Sequence, residues 1–135
     1  MKELTLEAKV QNLQQVLDFV DDALMTMNCP VKLQMQIDVA VEEIFVNVAS
    51  YAYAPASGPV TVRVEETAGP KAVRITFIDS GTPFDPTARE DPDVTLSAEE
   101  RKIGGLGIFM TRKSMDRMIY EYRDGRNVLC LERNL

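Results

Sequence analysis

Two acidic residues and an amide interrupt an otherwise apolar run, "VEEIFVNVASYAY" at residues 41–53. Glu43 and Asn47 are four residues apart, which on a helix stacks them on one face, about 40° apart around the axis. If that face looks into a cavity, the carboxylate can take or orient a proton and the carboxamide oxygen can hold a metal ion. The same spacing suits a solvated Glu beside a hydrogen-bonding Asn. In a second stretch, "FIDSGTPFDP", a strand ends directly in Asp79 and is followed by Gly81 and Pro83. A carboxylate at a strand end can accept a hydrogen bond inside a pocket, and glycine lets the backbone approach a flat ligand closely. These residue types also make ordinary turns. A third stretch, "KIGGLGIFMTR", puts Gly104, Gly105 and Gly107 where a loop becomes a helix. Backbone N–H groups and the partial positive charge of a helix start suit phosphate oxygens there, although a hinge would use the same glycines. The stretch is neither a P-loop, which needs Lys and Ser or Thr after the glycines, nor the dinucleotide turn of a parallel sheet.

The elements that must carry these residues are legible from periodicity. "LTLEAKV" alternates as a short strand, and Leu13, Val16, Leu17, Val20 and Leu24 mark an amphipathic helix ended by "NCP". Pro30 suits the first turn of a second helix. "VKLQMQIDV" alternates with period two, but Ile37, Val41, Ile44 and Val48 continue a helical stripe with no turn signal before "YAPASGP", so continuity favours helix. "VTVRVEE" and "KAVRITFID" read as a hairpin about "TAGP". Residues 80–104 read as a long loop, "LGIFMTRKSMDRM" as a helix, and "IYEYRD" with "NVLCLER" as a closing hairpin about Gly125. Helices early and one-sided strands late predict a two-layer α+β sandwich, its mostly antiparallel sheet covered on one face by helices.

At 135 residues the chain fits one domain, 1–135, with 45% hydrophobic and 27% charged residues as in a soluble globular protein. The net charge of −6 and pI near 4.7 argue against a nucleic-acid or anionic-membrane surface. No apolar run approaches a bilayer span and the start lacks a signal-peptide pattern, so the expected location is cytoplasmic. Cys29 and Cys130 have no metal spacing and read as packing thiols. With no histidine, imidazole metal sites, bases and phosphoacceptors are excluded from these residues.

In order and spacing, "AVEEIFVNVASYAY", "DSGTPFDP" and "GGLGIFMTRKSMD" resemble the ATP-binding boxes of the GHKL superfamily, which includes gyrase, certain chaperones and histidine kinases, and most resemble the anti-sigma-factor serine kinases of bacteria. The resemblance implies ATP with Mg2+ as ligands. Asn47 would hold the magnesium ion and Glu43 would be the base or water-orienting carboxylate. Asp79 would accept from the adenine amino group, Gly81 would line the adenine pocket, and Gly104, Gly105 and Gly107 would free the backbone to wrap the phosphates. Residues 85–103 would form a nucleotide lid, with Arg101 and Lys102 at its end. Two positions depart from the pattern. Tyr51 stands where a histidine is usual and is expected to keep the packing, and Asn127 stands where the last strand usually offers adenine a threonine. The implied function is an anti-sigma regulatory factor that phosphorylates a serine on an anti-anti-sigma factor and sequesters a sigma factor, with a homodimer as a further expectation. The alternative is a nucleotide-gated binding module that transfers no phosphate. A histidine-kinase catalytic domain is disfavoured, since the chain contains no phosphoaccepting histidine.

Overall fold

The computed structural model describes residues 1–86 and 111–135; the glycines 104, 105 and 107, Arg101, Lys102 and nearly all of the expected lid lie outside them. Strand β1 (Lys2–Glu7) leads through a 3-10 turn at Val10–Asn12 into α1 (Leu13–Thr26), followed by α2 (Val31–Asn47) and a π-helical turn at Val48–Ala52. Strands β2 (Pro59–Thr67), β3 (Ala72–Asp79), β4 (Arg117–Arg123) and β5 (Arg126–Asn134) complete the described elements. They form one five-stranded sheet in the order β1-β2-β3-β5-β4, antiparallel throughout. The expected α+β sandwich is therefore borne out.

Alternation decides which face of the sheet is buried. Val62, Phe77, Leu129 and Tyr120 lie in one cross-strand row, and Val64, Ile75, Leu131 and Met118 in the next, so one register turns both rows toward the helices. Val16, Val20 and Leu24 of α1 and Ile37, Val41, Ile44 and Phe45 of α2 close over them in a single core. The opposite face is polar: Thr5 bonds Thr61, Glu3 pairs with Arg63, and Glu132 sits between Arg74 and Arg117. Burial would raise the Glu132 carboxyl, but the hydrogen bonds from Arg117 and Arg74 win and hold it below its usual value.

The "NCP" break has a specific cause. Asn28 adopts φ 56°, and the N–H groups of Asn28 and Cys29 donate to the carbonyls of Met25 and Leu24, the paired bonds of a Schellman ending. Pro30 then sits one residue outside α2, not in its first turn, and its carbonyl accepts from Gln34 N–H at 3.0 Å. The alternating "VKLQMQIDV" is helical, as continuity indicated. The hairpin about Gly125 is also found, with φ 55° at Asp124 and 75° at Gly125, both central residues of a type I′ turn. One boundary differs. The helix expected through Met118 ends at residue 114, and Arg117 and Met118 already belong to β4. The cause is capture by β5: Asp116 N–H donates to the Glu132 carbonyl, and the Asp116 carboxylate accepts from Asn134 N–H at 2.7 Å.

Candidate nucleotide-binding site

The end of α2 and its π turn face the ends of β3 and β5 across a cavity of about 210 Å³. Its walls are mostly apolar, with Ile44 and Val48 from the helical side and Phe77 and Leu129 from the sheet. A few polar side chains converge on it: Asn47, Asp79, Tyr120 and Asn127. That combination suits a largely apolar, planar ligand held in place by few directional bonds.

Local structure explains how each residue arrives. Asp79 and Asn127 are direct cross-strand partners at the ends of β3 and β5, and both are 6% exposed. Asn127 Nδ2 donates to Asp79 Oδ1 at 2.9 Å, and Gly81 N–H donates to the same oxygen at 2.8 Å. Among the described residues nothing donates to Asp79 Oδ2, which leaves an acceptor for a ligand's amino group. Gly81 is required by its neighbour, since a Cβ there would stand 2.2 Å from the Ala52 carbonyl oxygen. The next residue bonds that same oxygen, Thr82 N–H to Ala52 O at 2.8 Å, and so the loop after β3 is laced to the π turn. π turns inside helices are frequent at functional sites, because the wider coil redirects side chains and frees backbone oxygens.

Asn47, the last residue of α2, lines the cavity. Glu43 lies one turn earlier, half-buried, and is not among the cavity-lining residues. Its carboxyl is raised from the ordinary value, first by burial and then by the Glu42 charge beside it. Tyr51 is 53% exposed at the cavity rim and does not supply the expected packing. Tyr53 supplies it instead. Its hydroxyl donates to the Pro59 carbonyl at 2.6 Å and accepts from Ser80 N–H at 2.8 Å, and its ring occupies the space beside Gly58. Tyr53 ties the helix end, the start of β2 and the loop after β3 together, and neither motif nor spacing singled it out. Tyr120 was also missed, although its phase in β4 places it in the cross-strand row of Leu129 and Phe77.

Fold and site together define a class: a helix layer over an antiparallel sheet, with a mostly apolar cavity between them and a carboxylate at a strand end. Residues 6–133 match the model of the histidine kinase-like ATPase domain, and the chain belongs to that family. It is also similar to a protein of Bordetella bronchiseptica named serine/threonine-protein kinase BtrW, with 27% identity over 100 residues, 74% of this chain and 70% of that one. The resemblance drawn from the three motifs is thus borne out. Among the described residues, no helix is long and apolar enough to cross a membrane.

Proposed function

We propose that the chain is an ATP-dependent protein serine kinase of the anti-sigma type, which phosphorylates a serine on an anti-anti-sigma factor and binds a sigma factor. The observation that carries the reading is the convergence of Asp79 and Asn47 on one apolar cavity at the end of α2, with Gly81 N–H holding Asp79 Oδ1 from outside the lining. Asp79 accepts from the adenine amino group, and Asn47 offers its carboxamide oxygen to a magnesium ion. Magnesium keeps several waters and takes phosphate oxygens, so one protein ligand suffices. Glu43 is the carboxylate that takes or orients the acceptor serine's proton. Burial and the neighbouring Glu42 charge raise its carboxyl above the ordinary value, which makes it a stronger proton acceptor than a free glutamate. The kinase name of the Bordetella relative supports transfer to a protein.

One observation favours a second reading. Glu43 does not line the cavity, and a module that binds ATP to order its partner surface would not need it there. Glu43→Ala separates the two. For a kinase, transfer to the acceptor serine slows about a hundredfold or more while ATP affinity is nearly unchanged. Wild-type transfer rates in the variant remove Glu43 as base, and a wild type that phosphorylates no candidate partner favours the binding module.

A further inference from the structure

We propose that Tyr120 and Asn127 are positioning residues that aim Asp79 at the amino group of the bound base, and that Asn127 itself does not touch the base. The proposal rests on the nucleotide reading above and assigns to Asn127 a role different from the direct contact that the family resemblance implies.

The hydrogen-bonding capacity of Asn127 is fully committed within the protein. A carboxamide has two N–H donors and two lone pairs. Nδ2 faces Asp79 Oδ1 at 2.9 Å, the Thr82 carbonyl at 3.0 Å and the Gly81 carbonyl at 3.4 Å. Oδ1 accepts from Phe84 N–H at 3.2 Å and from the Tyr120 hydroxyl. Acceptors crowd one end of the amide and an obligatory donor meets the other, so its orientation is fixed by its neighbours. Nothing remains for a ligand. The amide instead joins β5 to the loop after β3 at Gly81, Thr82 and Phe84, and supplies one of the two donors that fix Asp79 Oδ1.

Tyr120 completes the chain of bonds. Its hydroxyl donates to Asn127 Oδ1, and burial raises the phenol above its ordinary value. Without that hydroxyl the amide oxygen keeps only the Phe84 N–H, the amide can turn, and Asp79 loses a fixed donor. The carboxylate then no longer holds Oδ2 in a single direction. A preorganised acceptor discriminates for a ligand donor more sharply than a mobile one.

The test measures affinity for ATP and for purine riboside triphosphate, which lacks the 6-amino group, by calorimetry on the full chain in three forms: wild type, Tyr120→Phe and Asn127→Ala. The wild type should prefer ATP by about tenfold or more, and each variant should lose most of that preference while its affinity for the amino-free analogue stays within about twofold of wild type. An equal loss for both nucleotides in Tyr120→Phe makes the pair a packing feature and overturns the proposal. So does a full ATP preference in Tyr120→Phe, which points to Asn127 or Asp79 acting without Tyr120. If Asn127→Ala does not fold, Tyr120→Phe decides alone, since it keeps the ring. A wild type that binds both triphosphates equally overturns the positioning pair and the Asp79 contact with the amino group, but not nucleotide binding; one that binds neither overturns the nucleotide reading as well.

Discussion

Asp79 divides its two oxygens between the protein and the cavity, and Asp79→Asn changes the second of these. An amide can still accept at one end, but it then presents N–H groups where the ligand's amino group needs an acceptor, so ATP affinity should fall about a hundredfold in calorimetry, with the fold intact. Asp38 carries a different consequence. It faces Asp21 across the two helices, Oδ1 of each is buried without a partner among the described residues, and burial with the facing carboxyl pushes Asp38 up to about 7. Because its unfolded value is near 3.8, the native state binds the proton more tightly. The stabilisation is complete below about pH 4 and is lost as pH rises through about 7. Asp38→Asn should remove that slope, making the variant more stable than wild type at pH 8 by about 1–2 kcal/mol once solvent screening is allowed for. Urea denaturation at pH 5 and pH 8 measures it. The sequence drew attention to Asp79, Gly81 and Asn47 because each interrupts or ends an apolar periodic run. It did not reveal Tyr53 or the Asp21–Asp38 pair, since those roles depend on which elements lie opposite.

Among the elements, the π turn at the end of α2 has the tightest demands. The loop after β3 fits beneath it only because residue 81 has no side chain. Gly81→Ala forces a methyl group into the Ala52 carbonyl and should cost about 1–3 kcal/mol in urea unfolding. It should weaken ATP binding more than a similarly destabilising change elsewhere in the core. Periodicity located α1, α2 and every strand because each buries one face, and the hairpin turns carried their own residue signals. The helix boundary at residue 114 was not legible, because "MDRM" continues a helical pattern locally. Only the pairing of Asp116 and Arg117 with β5 makes it a strand.

For the whole molecule, the strand order has a consequence in time. β5 lies between β3 and β4 although it is the last strand in sequence, so a chain growing from its N-terminus reaches residue 125 with β3 still lacking a partner on that side. Asp79 and Asn127 are 48 positions apart, and their bond must wait for a long-range closure whose entropic cost rises slowly with loop length. The helices, β1, β2 and β3 can collapse earlier, since their contacts are available first. A nascent or truncated chain stopped before residue 126 should therefore hold much of the core yet bind no nucleotide, a difference that stalled-ribosome or purified truncation samples would reveal with a fluorescent ATP analogue. In this topology nucleotide binding reports that β5 has been made, because Asn127 and Leu129 of the cavity wall lie on that strand.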